Sequence, residues 1–288
     1  MAVTTEELAP PGKVLQDRRS ALAVMTLAVK QLPARANWLG MATIVAVLIV
    51  WEVLVSTGVI ADKVLPSPTQ IWSGLGTAMD SGRFWSAIAH TMMTIVVGCA
   101  TAVVIGGVAG LAIGLSPALY SWTMATVDVL RSVPTIAFFP MAILLWGAST
   151  KAEIVIAVYA ALWPVLVSAA RSVRSVGPRL FDVARTLGFS RPKTFWKVVL
   201  PATGAATIVA SRVALGITVV ACVTMEMVGT PSGIGYEVLF YQQGGNVAPM
   251  WAFILTTGVL GLLLNAAFVV AVRLAFPGIA LWADRGQR

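Results

Sequence analysis

Residues 86–115 read SAIAHTMMTIVVGCATAVVIGGVAGLAIGL, 30 residues without a Lys, Arg, Asp or Glu. About 20 apolar residues suffice for a helix to cross the hydrocarbon core of a bilayer. The run is too long and too continuously apolar for the short alternating strands of an outer-membrane barrel. It therefore fixes the class as a helical membrane protein. The rest of the chain agrees, because 58% of the 288 residues are hydrophobic and 11% charged, whereas soluble domains carry about 25% charged residues.

Working outward, the same criterion gives six spans, at about 38–56, 86–115, 133–147, 153–170, 205–228 and 250–274. The expected fold is an all-α membrane protein with six transmembrane helices. A tail of residues 1–37 precedes a transmembrane domain of residues 38–280, and residues 281–288 form a second tail. The third span is short, and Pro134 and Pro140 make it irregular. Residues 118–131 read as an amphipathic helix lying before it, with Asp128 and Arg131 spaced to pair. The first tail is too long and too mixed for a cleavable signal peptide, and its residues 21–32 are mildly amphipathic.

Lys and Arg orient the chain. With the N-terminus inside, the cytosolic side receives Lys13, Arg18, Arg19, Lys30, Arg35 and Arg131. It also receives Arg171, Arg174, Arg179, Arg185, Arg191, Lys193, Lys197, Arg273, Arg285 and Arg288, and the opposite side only Lys63, Arg83 and Lys151. This asymmetry predicts that both termini are cytosolic. It also explains the net charge of +8 without a nucleic-acid partner, for which no motif is present.

The longest cytosolic loop contains DVARTLGFSRPKTFWKVVLP, residues 182–201. Pro178 suits a first helical turn, and Leu180, Val183, Ala184 and Leu187 recur on one face. Gly188 supplies a left-handed C-cap. Ser190 is placed to cap a second short helix that Pro201 ends.

The order Asp182-Val183-Ala184, then Gly188, then Leu200-Pro201 resembles the "EAA" loop of ATP-binding-cassette importer permeases. Asp182 stands where Glu is usual and Val183 where Ala is usual. Three further stretches are similar to the permeases of nitrate, sulfonate, taurine and bicarbonate importers. They are Leu65-Pro66-Ser67-Pro68, Arg131-Ser132-Val133-Pro134 with Phe139-Pro140, and Glu226-Met227-Val228-Gly229 with Gly233-Ile234-Gly235-Tyr236.

The resemblance implies a bacterial inner-membrane permease subunit in which Asp182, Val183, Ala184, Arg185, Leu187 and Gly188 form a coupling helix. It implies two cytosolic ATPase subunits that bind the ATP and Mg, an extracytoplasmic substrate-binding protein, and a second permease copy completing a homodimer. The substrate it implies is a small oxyanion, sulfonate or carboxylate.

The chain itself carries no G-x-x-x-x-G-K-[ST] run for nucleotide phosphates, no carboxylates paired at helical spacing within a span, and no metal-ligand spacing. His90 is the only histidine, which speaks against a histidine-built metal site or triad. Cys99 and Cys222 lie in apolar runs and read as small buried hydrophobes. Neither an enzyme nor a resident cofactor is expected.

Polar groups within spans are costly and mark a pathway or a packing contact. Glu226 reads as a pathway or gate residue, as a group close enough to the interface to hydrate, or as a structural hydrogen-bond partner of a neighbouring helix; of the first two, a gate is favoured. Arg212 either attracts an anion or snorkels to the interface. Ser211, Thr218 and Thr224 add hydroxyls to the same helix. Trp146 and Trp163 either line a pocket or serve as interfacial belt and core packing. Gly106, Gly110 and Gly114 form a small-x-x-x-small packing ridge. Residues 230–249 are too glycine-rich for a plain helix and read as a re-entrant or gate-like outer segment. The alternative function is an ion-gradient-driven secondary transporter. It predicts inverted repeats and acidic pairs facing the substrate, which the sequence lacks.

Overall fold

The computed structural model describes residues 33–61 and 65–275. Residues 1–32 of the expected first tail (1–37), with the amphipathic stretch 21–32, the whole second tail 281–288 with Arg285 and Arg288, and Lys63 lie outside the described residues, while residues 33–37 of the first tail are helical. Two units are distinguished, Met1–Pro68 and Thr69–Arg288. In the first, α1 (Pro33–Ser56) contains the candidate span Trp38–Ser56, with the expected limits. The hydroxyl of Thr43 donates to the Leu39 carbonyl at 2.8 Å, so this apolar helix offers the lipid no unsatisfied donor there.

The second unit starts with α2 (Pro68–Asp80), which leads into α3 (Arg83–Leu115), the span whose sequence opened the argument. Next come α4 (Pro117–Ser132), a 3-10 turn (Thr135–Phe138) and α5 (Phe139–Trp146). Then follow α6 (Thr150–Ser175), α7 (Pro178–Thr186), α8 (Arg191–Gly229), α9 (Ile234–Gln243) and α10 (Val247–Ala275). Among the described residues five helices are long and apolar enough to cross a membrane, or six if the bent pair α4 and α5 is one span.

That pair revises the third span. Residues 133–147 are not one short irregular helix. The chain turns by 83° between α4 and α5, because Pro134 forbids the helical bond and biases Val133 to extended geometry; Val133 has φ −73° and ψ 124°. The bend is held from α6, where the Tyr159 hydroxyl donates to the Leu130 carbonyl at 2.9 Å and its ring meets Phe138 edge-on at 4.9 Å. The expected Asp128–Arg131 pair forms on α4 at 2.8 Å.

The core of this unit is α3, α6 and α8 packed together. Inside a bilayer helices gain little from hydrophobicity alone, and close van der Waals approach must replace it. Gly106, Gly110 and Gly114 provide that approach. A Cβ at Gly106 or Gly114 would stand 2.7 Å from the carbonyl oxygen of Leu162 or Ala170, and one at Gly110 would strike that of Leu166. The three carbonyls recur every four residues along α6, matching the glycine spacing on α3. Ala102, Ala161, Val165 and Ala214, all buried, continue the seam to α8.

Candidate functional site

The loop after α6 ends α7 as its sequence requires. Gly188 has φ +67°, its N–H donates to the Arg185 carbonyl at 2.9 Å, and the Phe189 N–H donates to the Ala184 carbonyl at 2.9 Å. These are the two bonds of a Schellman motif. No atom lies within 4 Å of where a Gly188 Cβ would be, so the glycine is needed for its backbone angle and not for space. Ala184 is buried, while Leu180, Val183 and Leu187 are exposed at 47%, 56% and 62%. The four apolar residues expected on one face therefore divide. Ala184 anchors the helix, and the other three form an uncovered apolar stripe. Asp182 and Arg185 are exposed and 3.7 Å apart, a pair worth little to stability in water.

Two details of the loop differ from expectation. Ser190 makes no side-chain cap; its carbonyl instead accepts from the Thr194 N–H at 2.9 Å. Pro201 does not end the second helix. Residues Phe195–Val199 form a π-helical turn, in which the Leu200 N–H reaches the Phe195 carbonyl. Widening the turn makes room for a ring that would clash with an α-helical carbonyl four residues back. The helix therefore continues, and α8 runs 39 residues from Arg191 to Gly229.

Along the membrane part of α8 two faces diverge. Val213, Ile217, Val220 and Thr224 line a groove of about 530 Å³ with Thr135 and Phe139. Thr135 and Thr224 are the only polar side chains in its lining. Ser211, Thr218 and Glu226 are on the opposite, buried face. Ser211 and Thr218 donate to the carbonyls of Thr207 and Ala214, both at 2.8 Å, and a methyl of Thr218 packs toward Gly98. Of the hydroxyls singled out in the sequence, Thr224 alone faces the groove. Arg212 is exposed, and its Nε donates to Asn265 Oδ1 of α10 at 2.7 Å. Trp146 packs against the buried cluster that holds Phe139, Ala142 and Met225, and Trp163 against the one that holds Met124 and Leu166. Both tryptophans are packing residues outside the groove lining.

Glu226 is 1% exposed. Its Oε1 accepts from the Thr91 hydroxyl at 2.6 Å and its Oε2 from the Gly235 N–H at 2.8 Å. Thr91 also accepts from the Ile234 N–H at 2.9 Å. The carboxylate thus sits at the N-terminus of α9, where free N–H groups and the helix dipole favour negative charge. Gly233, with φ +96° and ψ 174°, turns the chain into that contact. Within the glycine-rich segment 230–249, residues Ile234–Gln243 form a ten-residue helix pinned at its start. Further along α9, the Glu237 carboxylate lies 3.8 Å from Arg83, whose guanidinium stacks 4.3 Å from the Phe240 ring. Burial pushes the Glu237 carboxyl up, with Arg83 opposing.

Sequence spacing gave no sign of what lies beside Glu226. His90 Nε2 is 3.1 Å from Glu153 Oε2, and His90, Glu153 and Glu226 converge from α3, α6 and α8. This cluster, drawn from three helices, involves the histidine set aside because it stands alone in the sequence.

A helical core of three tightly packed spans, a groove along one of them, and a charged loop with an uncovered apolar stripe define a polytopic membrane transport subunit. Residues 102–277 match the family "Binding-protein-dependent transport system inner membrane component", and the chain belongs to that family. It is 30% identical over 223 residues to the nitrate import permease protein NrtB of Leptolyngbya laminosa, covering 75% of this chain and 80% of the relative. It is 28% identical over 242 residues to the putative aliphatic sulfonates transport permease protein SsuC of Bacillus subtilis (strain 168), covering 83% and 88%. In fold it is similar to a chain of the inward-facing MetNI methionine ABC transporter, with TM-score 0.57, 19% identity, and coverage of 67% of this chain and 98% of that one. The chain is thus an importer permease subunit, a multi-pass component of the inner membrane and not an enzyme. Family membership brings a separate ATPase and a binding protein as partners.

Proposed function

We propose that this permease forms half of the translocation path of a homodimer, with α7 as the coupling helix for the ATPase and the groove on α8 as the path wall. Two copies around a two-fold axis are the commonest arrangement for a chain that offers half a site. Residues 38–280 are the transmembrane domain, flanked by cytosolic tails 1–37 and 281–288; the Lys and Arg asymmetry supports having both termini and α7 on the ATP side. Asp182, Val183, Ala184, Arg185, Leu187 and Gly188 shape the docking element, and the exposed Leu180, Val183 and Leu187 enter the ATPase groove.

The single observation that carries this reading is the continuity of α8. At 1.5 Å per residue its 39 residues make a rod of about 58 Å. The rod begins three residues after Gly188, carries the groove, and ends at the Glu226–Gly235 contact. Movement of α7 is therefore transmitted along one helix to the segment that faces the binding protein. ATP binding draws the two ATPases together, the coupling helices follow, and the path opens outward; hydrolysis reverses it. Thr135 offers a hydroxyl donor to a small oxyanion, sulfonate or carboxylate, and the Thr224 hydroxyl, which donates to the Val220 carbonyl at 2.7 Å, does so by turning from that carbonyl, with Arg212 attracting the anion toward the cytosolic end. Glu226 serves the gate, because its carboxylate holds α9 and points away from the path, where it would repel an anion.

Val220, 67% exposed and in the groove, tests the path. Val220→Trp is expected to lower ATP-driven uptake into proteoliposomes by at least tenfold while the complex still assembles. Unchanged uptake by an assembled Val220→Trp complex would show that the substrate passes elsewhere.

A further inference from the structure

We propose that His90, Glu153 and Glu226 form a binding site for one divalent cation of the zinc class, buried among α3, α6 and α8. One ring nitrogen and two carboxylate oxygens lie within 4.8 Å of one another. A tetrahedral zinc with bonds of about 2.1 Å needs ligand atoms roughly 3.4 Å apart. Side-chain rotation of the three residues is the movement that would close the difference. The donor set of imidazole nitrogen with carboxylate oxygens suits zinc better than magnesium, which prefers an octahedron of oxygens.

Three further observations favour a cation. Glu153 is fully buried, and its Oε1 has no hydrogen-bond partner, although a buried acceptor is costly to leave unsatisfied. Glu153 and Glu226 bring two carboxylates to one point of a low-dielectric core, where a dication would meet both. Glu226 is already oriented by Thr91 and the Gly235 N–H. Outer hydrogen bonds of this kind commonly fix ligating carboxylates, and each oxygen retains a lone pair for a metal. The His90 side chain is 17% exposed, which gives the ion a way in.

Such an ion would tie three spans together and, through Glu226, hold the start of α9. Its function is to lock the outer segment, and zinc binding is measurable without any assay of transport. The permease is purified with its ATPase on a tag that contains no histidine, stripped with a chelator, loaded with zinc chloride, desalted, and assayed for metal per chain. The wild-type complex is expected to retain one more zinc per permease chain than the His90→Asn complex. Glu153→Gln is expected to weaken zinc retention at least tenfold. Zinc should raise the thermal unfolding midpoint of the stripped wild type, and magnesium should not. Should His90→Asn fail to assemble, Glu153→Gln and the wild-type thermal shift carry the test. Equal zinc in wild type and variants would overturn the proposal. So would a stripped wild type that neither retains zinc nor responds to it, since protons alone would then satisfy the cluster, and so would an equal shift with magnesium.

Discussion

Gly233→Ala is expected to abolish the assembled transporter or to leave one that unfolds many degrees below wild type. The backbone at Gly233, φ +96° and ψ 174°, lies in a region that only glycine visits freely, and a residue with a Cβ pays about 1–3 kcal/mol there. The added Cβ would also strike the Glu226 carboxylate. Relief by moving that carboxylate breaks its bonds to Thr91 and Gly235. Each buried donor left unpaired costs about 1–3 kcal/mol more. The combined loss is a large part of the 5–15 kcal/mol by which folded domains are usually stable. Thermal unfolding of the purified complex measures it, with Gly76→Ala as the control. Gly76 lies within α2 with nothing within 4 Å of its Cβ position, so Ala there should be neutral or slightly stabilising. Equal behaviour of the two variants would mean that the Glu226 contact does not hold α9.

The second large effect is expected at the other end of α8. Gly188→Val places a β-branched side chain at φ +67°, at a cost of about 1–2 kcal/mol. With open space around the site, the strain is relieved by unwinding the Schellman turn and not by displacing a neighbour. The helix that carries Leu180, Val183 and Leu187 then loses its fixed direction. Membrane insertion should survive, while ATPase co-purification and substrate-stimulated ATP hydrolysis fall together. Gly188→Asn, which tolerates the left-handed conformation, should keep most of both. Normal coupling in Gly188→Val would remove α7 from its role as lever.

Several of these features are legible in the sequence alone. The uncharged run of 86–115, the limits of 38–56 and the cap at Gly188 each follow from one local rule, and local rules survive folding. The glycines at 106, 110 and 114 announced a close helix contact by their four-residue spacing, although not which helix would fill it. Pro201 misled because a proline in helical surroundings normally stops the helix. A π turn five residues long absorbed it instead, and no residue pattern marks such a turn.

The site was harder to read for a physical reason. Hydrophobic periodicity locates a buried face only when the other face is polar, and α8 is apolar on both. Thr218 and Thr224 therefore looked equivalent in sequence, yet one packs toward Gly98 and the other lines the groove. The approach of His90 to Glu153 joins residues 63 positions apart on different helices. Short-range spacing is blind to it, and a lone histidine looked uninformative. One signal was available: His90, Thr91 and Glu226 are polar residues within otherwise apolar spans, and three such residues at similar depth invite a shared contact.

The central claim is that α7 carries the force of a separate ATPase to the path. A photo-crosslinking amino acid at Val183, in the complex purified with its P-loop ATPase, tests it most directly, with Trp72 (78% exposed on α2) as the comparison site. The account predicts a crosslink from position 183 to the ATPase whose yield changes when ATP is added, and none from position 72. Crosslinking to the ATPase from position 72 but not from 183, or a yield at 183 indifferent to ATP, would contradict it.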